Sequence, residues 1–177
     1  MTTDAQALAA LIAKDEIREL AMLYSRGVDR KDIELLRTLY AKDATDNHGK
    51  HYNGDADGYL RFLEKSFPHM PYSGHHICNH LVSVDVDGNR GEGEVYALAY
   101  HLIPDGKGGM VEDFMAVRYV DRYRKENDRW LFASRVVSFD HHSVRPIAAP
   151  QAPMKPPIDD PSYTTLSSRL FARGARE

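Results

Sequence analysis

Residues 93–124 read GEVYALAYHLIPDGKGGMVEDFMAVRYVDRYR, and this stretch decides the fold. Its two runs, GEVYALAYHLI (93–103) and VEDFMAVRYVDRYR (111–124), are rich in β-branched and aromatic residues, and PDGKGG between them has the composition of a turn. Two more runs of the same kind flank them: HICNHLVSVDV (76–86), followed by the turn-like DGNRG, and RWLFASRVVSFDHH (129–142), preceded by KEND. Four consecutive strands with short connections predict an antiparallel meander.

Upstream of the strands the period changes. Residues 4–26 place Ala13, Ile17, Leu20 and Tyr24 on one stripe, with Lys14, Asp15, Arg18 and Arg26 away from it, as in an amphipathic helix. Gly27 is the expected stop. DIELLRTLYA (32–41) predicts a second helix capped by Asp32, and 56–67 a third, ended before Pro68. Helices first and a curled antiparallel sheet afterwards describe an α+β domain with the helices against one sheet face. From Pro146 the composition shifts, because PIAAPQAPMKPPIDDP holds six of the nine prolines. Residues 1–145 are therefore read as one domain and 146–177 as an extended Pro-rich tail, ending in SYTTLSSRLFARG with one or two helical turns that bring Leu166, Leu170 and Phe171 together.

The composition narrows the function. A chain of 177 residues can bury roughly 70% of its unfolded surface without metal or disulfide staples. The 23 basic residues are scattered and outweighed by 26 acidic ones, which argues against nucleic acid as a partner. Cys78 is the one cysteine, so neither an internal disulfide nor a C-x-x-C site is possible. No apolar run approaches the ~18 residues of a membrane span, and the N-terminus lacks the pattern of a signal peptide, so a cytoplasmic location is expected.

Chemistry concentrates in SGHHICNHLVSVDV (73–86), with three histidines in a strand. Regular alternation puts His75, Ile77, Asn79 and Leu81 on one face and His76, Cys78, His80 and Val82 on the other. The remaining histidines, among them His48 and His101, lie in other segments without metal-ligand spacing. Each histidine has an ordinary reading as a hydrogen-bonding group at the rim of a sheet. The catalytic reading needs a carboxylate that holds one ring N–H and stabilises the imidazolium formed when the other nitrogen takes a proton. Asp29 is the candidate: Asp32 serves as well as the helix cap, and a turn at Gly27 frees Asp29 from the polar side of the first helix.

The order and separation of IRELAMLYSRGVDRKD (17–32), LLRTLYAKDATDNHG (35–49), GHHICNH (74–80) and DRYRKENDRWLFASRVVSFD (121–140) resemble the SnoaL-like branch of the nuclear transport factor 2 superfamily over about residues 8–145. That branch includes scytalone dehydratases, hexachlorocyclohexane dehydrochlorinase, bile-acid dehydratases and diarylpropane lyases. The resemblance implies a cone-shaped, strongly curved sheet wrapped by three helices around a deep pocket. It implies an Asp–His dyad of Asp29, in Gly27-Val28-Asp29, and His75, which begins the H-x-x-x-N pattern ending at Asn79. Tyr24, five residues before the aspartate, matches a tyrosine of the bile-acid dehydratases. His101 corresponds approximately to a second acidic or basic residue that some family members carry in their third strand, and Arg135 is a candidate ligand for an anion or phenolate.

Tyrosines outnumber phenylalanines ten to six, and Tyr24, Tyr59, Tyr72, Tyr96, Tyr100 and Tyr119 fall in the elements that would form a cone. They serve equally as core residues or as walls for an aromatic or polycyclic ligand bearing hydroxyls. The expected activity is that of a cofactor-independent lyase, eliminating water or releasing formaldehyde, with Asp29, His75 and Tyr24 in the chemistry and Asn79, Tyr100, His101 and Arg135 around the substrate. No cofactor or metal is implied, and a homo-oligomer, trimer before dimer, is expected. The alternatives are a non-catalytic binding module, since fold does not fix function, and the structural β subunit of an aromatic-ring dioxygenase.

Overall fold

The computed structural model describes residues 3–87, 89–147 and 157–176. Helix α1 (Asp4–Asp29) opens with a capping box between Thr3 and Gln6 and buries the expected stripe of Ala13, Ile17, Leu20 and Tyr24. It does not stop at Gly27. The helix runs on to Asp29, and the turn falls at Lys31, which adopts the left-handed conformation (φ 52°) usually left to glycine. Lys31 Nζ donates to the carbonyls of Phe67 (3.0 Å) and Met70 (2.5 Å), which anchors the bend. Gly27 has a packing reason instead, since a Cβ there would lie 2.7 Å from Leu36 Cδ2.

Helix α2 (Ile33–Arg37) is capped as expected, with Leu35 N donating to Asp32 Oδ1 at 3.1 Å. It is shorter than its sequence suggests. Tyr40 and Ala41 leave the helix and begin strand β1 (Tyr40–Asn47), which turns back into β2 (Asn53–Asp55); neither strand was expected. Helix α3 (Ala56–Ser66), capped by Asp55, ends at a 3-10 turn over Phe67–His69 containing Pro68. The long strands follow: β3 (Tyr72–Asp85), β4 (Arg90–Pro104), β5 (Met110–Glu126) and β6 (Arg129–Pro146). Asn127 and Asp128, both at positive φ, form the two-residue turn between the last pair.

The sheet order is β2-β1-β6-β5-β4-β3, open at β2 and β3. The meander is antiparallel as read, but β1 joins β6 in parallel. Register shifts interrupt β3–β4 and β5–β6, and such bulges bend the sheet into its curve. The concave face carries Val95, Ala97, Val117, Tyr119, Tyr123 and Phe132, which pack against Ile17, Leu20 and Tyr24 of α1 and Leu60 of α3 in one core. Leu81, Val120 and Val136 stand exposed on the convex face.

Residues 148–156 of the Pro-rich stretch lie outside the described residues. Residues 157–176 return to the ends of α1 and α2 with helical turns at Ser162–Thr165 and Arg169–Phe171. Leu170 packs against the core, whereas Leu166 stays exposed.

Candidate active site

The bulge in β3 decides which histidines point inward. His75 and Ile77 face the core, the register slips across Cys78 and Asn79, and His80 and Val82 then take the inner face while Leu81 is 70% exposed. One extra residue in a strand reverses the alternation beyond it, so the regular face assignment holds only as far as Ile77. Asn79 sits exposed in the bulge, as does Cys78 beside it.

His75 meets the last turn of α1. Asp29 Oδ1 lies 2.7 Å from His75 Nδ1, and Asp29 Oδ2 accepts the backbone N–H of His75 at 2.9 Å. Asp29 thus reaches His75 although α1 continues through it, because it follows Val28 on the flank of the helix that β3 covers. The two side chains are 12% and 6% exposed. A carboxylate that accepts from Nδ1–H holds the imidazole in the tautomer whose Nε2 lone pair is free to take a proton.

The His75 ring forms part of the wall of a cavity of about 150 Å³ inside the cone. Most of that wall is apolar, including Val28, Phe62, Leu63, Met115, Val137 and Phe139. Its polar groups are Tyr24 and Tyr119, His101 and Asp113 of β4 and β5, and His48, His51 and Tyr59 from the β1–α3 side. His101 is buried with its ring centroid 5.3 Å from that of His75, and Asp113 lies between it (3.8 Å) and His142 (2.5 Å). The neighbouring His101, first, and then His142 hold the Asp113 carboxyl below the usual range against the effect of burial.

Tyr24 is fully enclosed, and burial pushes its phenol up to about 12, so it is a neutral hydroxyl at physiological pH. Its oxygen is 2.6 Å from that of Tyr59, and the Tyr59 hydroxyl is 3.1 Å from His48 Nε2. His48 Nδ1 contacts the buried carboxylate of Asp46, whose other oxygen accepts the Tyr40 hydroxyl at 2.8 Å. Asp46 and His48 escaped the sequence reading. Asp46 lies in β1 and His48 one residue beyond its end; their i, i+2 spacing puts both side chains on one side of an extended chain, but the polar run DATDNHG carries no strand signal of its own.

Two further expected residues, besides Asn79, lie elsewhere. Tyr100 points to the convex side of β4, opposite Ala99 and His101, where its ring meets that of Tyr72. Arg135 is behind the wall: it makes a bidentate pair with Asp121, and its guanidinium lies 4.2 Å from the Tyr24 ring centroid and 4.1 Å from that of Tyr119. Among the described residues no group of three or more His, Cys, Asp or Glu is placed to hold a metal ion, and no helix is long and apolar enough to cross a membrane.

A curved sheet, open at its edges and closed over by helices around a small polar-studded cavity, is the architecture of the SnoaL-like domains. The family model for the SnoaL-like domain matches residues 9–136, and the chain belongs to this family. No curated protein matches it in sequence. Among solved structures, a candidate scytalone dehydratase from Novosphingobium aromaticivorans superposes with a TM-score of 0.68 at 19% identity, covering 78% of this chain and 91% of that one. A hexachlorocyclohexane dehydrochlorinase of type 3 from Novosphingobium barchaimii gives 0.67 at 18% identity, covering 81% and 95%. ActVI-ORFA from Streptomyces coelicolor gives 0.57 at 19%, covering 72% and 96%. At these identities the likeness is one of fold.

Proposed function

We propose that this protein is a cofactor-independent lyase in which His75, held by Asp29, removes a proton from an aromatic small molecule while Tyr24 protonates the departing oxygen. The observation that carries this reading is the double hold of Asp29 on His75, through the ring Nδ1 at 2.7 Å and the backbone N–H at 2.9 Å. Both the ring orientation and the tautomer are thereby set, and the carboxylate is in place to stabilise the imidazolium. In an elimination, the substrate C–H proton passes to Nε2, the electron pair forms the new double bond, and the C–O bond breaks as the oxygen takes the Tyr24 proton and leaves as water. With a 1,3-diol of the diarylpropane type the base takes an O–H proton instead. The C–C bond then breaks to release formaldehyde, its electron pair forms the alkene, and the other hydroxyl departs as water.

The names of two structural relatives, a candidate dehydratase and a dehydrochlorinase, refer to eliminations and support this class of reaction. At about 150 Å³ the cavity is comparable to the apolar cavity of similar size that takes up one benzene. One substrate ring therefore occupies it, with His101 as a neighbour of the reacting centre. The exposed convex face, with Leu81, Val120 and Val136, supports assembly into a homo-oligomer.

The test is incubation of the purified protein with hydroxylated diarylpropanes, phenolic dehydratase substrates and hydroxysteroids, with products identified by mass spectrometry. Loss of water or formaldehyde is expected, and Asp29→Ala and His75→Ala should each lower turnover at least about a hundredfold. A near-wild-type rate in either variant removes that residue from the mechanism. Tight binding without turnover moves the assignment to a binding module.

A further inference from the structure

A second Asp–His pair, which the dyad does not use, stands at the cavity, with His48 in its wall and Asp46 behind it. Asp46 is fully buried, and both of its oxygens are engaged, one by the Tyr40 hydroxyl and the other by His48 Nδ1–H. From His48 Nε2 a continuous chain runs through the Tyr59 hydroxyl (3.1 Å) to the Tyr24 hydroxyl (2.6 Å). Tyr24 stands edge-on to His75, with 6.5 Å between ring centroids. The chain therefore ends beside the Asp29–His75 pair.

Its direction depends on His48. With His48 neutral and its proton on Nδ1, Tyr59 O–H donates to Nε2 and Tyr24 O–H donates to Tyr59, so Tyr24 turns only lone pairs toward the cavity. With a proton on Nε2 as well, the chain reverses: Nε2–H donates to Tyr59, Tyr59 O–H donates to Tyr24, and the Tyr24 O–H is free for a substrate oxygen. The buried carboxylate of Asp46 compensates the charge of that state.

We propose that Asp46–His48 is the proton reservoir of the site, loading Tyr24 through Tyr59 so that the cavity holds a base pair and an acid pair; this rests on the lyase reading above. In one turnover the substrate oxygen takes the Tyr24 proton, the Tyr59 proton moves to Tyr24, and the Nε2 proton moves to Tyr59. His48 is left neutral and His75 protonated; the site resets when His75 releases its proton to water and His48 takes one up. Burial keeps both tyrosines protonated, so the transfer is a concerted shift with no free phenolate. Tyr24 is the group that protonates the substrate oxygen; Tyr59 and His48, which also line the cavity, pass the proton along, and Asp46 positions His48.

The experiment compares a hydroxylated substrate from the panel above, whose leaving group needs a proton, with its chloro analogue on the same skeleton, whose leaving chloride does not. His48→Gln keeps a hydrogen-bonding group but cannot carry the proton, and Tyr59→Phe cuts the chain. Both are checked for wild-type melting temperature, and Tyr59→Phe leaves both partners of the fully buried Asp46 in place, so it tests the chain independently of that carboxylate. Each variant should lose at least about tenfold more on the hydroxyl substrate than on the chloride, whereas His75→Ala should lose turnover on both. Equal losses on the two substrates, or no loss on the hydroxyl substrate while His75→Ala is inactive, overturn the reservoir and leave the dyad standing. Wild-type rates in His75→Ala, or no wild-type turnover of either substrate, overturn the dyad reading and the reservoir with it.

Discussion

Arg135 and Asp121 form an ion pair with no solvent exposure on either side chain, their Nε–Oδ1 and Nη2–Oδ2 distances both 2.8 Å. The pair joins β5 to β6 directly behind the cavity wall, and the guanidinium supports the rings of Tyr24, Tyr119 and Phe132. Removing one partner strands a buried charge. Asp121→Asn or Arg135→Met should each cost about 3–5 kcal/mol in urea unfolding, and an apolar replacement of both should cost less than either single change.

His80, turned inward by the bulge, contacts the Tyr123 hydroxyl at 3.2 Å. Burial lowers its pKa to about 4. The unfolded chain takes up this proton near the ordinary value of about 6.5, so between these limits the unfolded state binds more protons and stability falls as the pH is lowered. The melting temperature should therefore drop between pH 7 and pH 4.5, and by less in His80→Gln. An equal drop in the two proteins would assign the acid sensitivity to other groups.

At Gly27 two effects oppose each other. Alanine would favour the helix by about 1 kcal/mol, but its Cβ would lie 2.7 Å from Leu36 Cδ2 and 2.8 Å from Cγ, in a side chain that is itself fully buried. Overpacking of this kind costs about 1–3 kcal/mol, so Gly27→Ala should be net destabilising in chemical denaturation.

Arg26 anchors the C-terminal segment. It donates to Ser162 Oγ (3.0 Å) and the Phe171 carbonyl (2.9 Å) and lies over the rings of Tyr163 and Phe171, while Arg30 pairs with Asp160 at 2.7 Å. Hydrogen bonds to a charged group contribute about 1.5–3 kcal/mol. Arg26→Ala should therefore accelerate tryptic cleavage after Arg169 and Arg173 several-fold, with a smaller effect on the global melting transition.

The sequence by itself determined the elements whose signal is local. The stripe of Ala13, Ile17, Leu20 and Tyr24, the Asp32 cap and the four β-rich runs follow from backbone periods of 3.6 and 2 and from turn chemistry, and these survive in the structure with shifted ends. Asp29 and His75 could be singled out because each stands in a short recognisable context. Tertiary structure decided the rest. Tyr40–Asn47 carries Lys42, Asp43 and Asp46 and becomes a strand by pairing in parallel with distant β6. The slip at Cys78 and Asn79, which removes Asn79 from the cavity and turns His80 inward, reflects how β3 fits the curve of β4, and no alternation rule contains it. The Asp46–His48–Tyr59–Tyr24 chain joins β1, α3 and α1. Its hydrogen bonds exist only once those elements are packed, because they depend on distances between residues that the local backbone pattern leaves free.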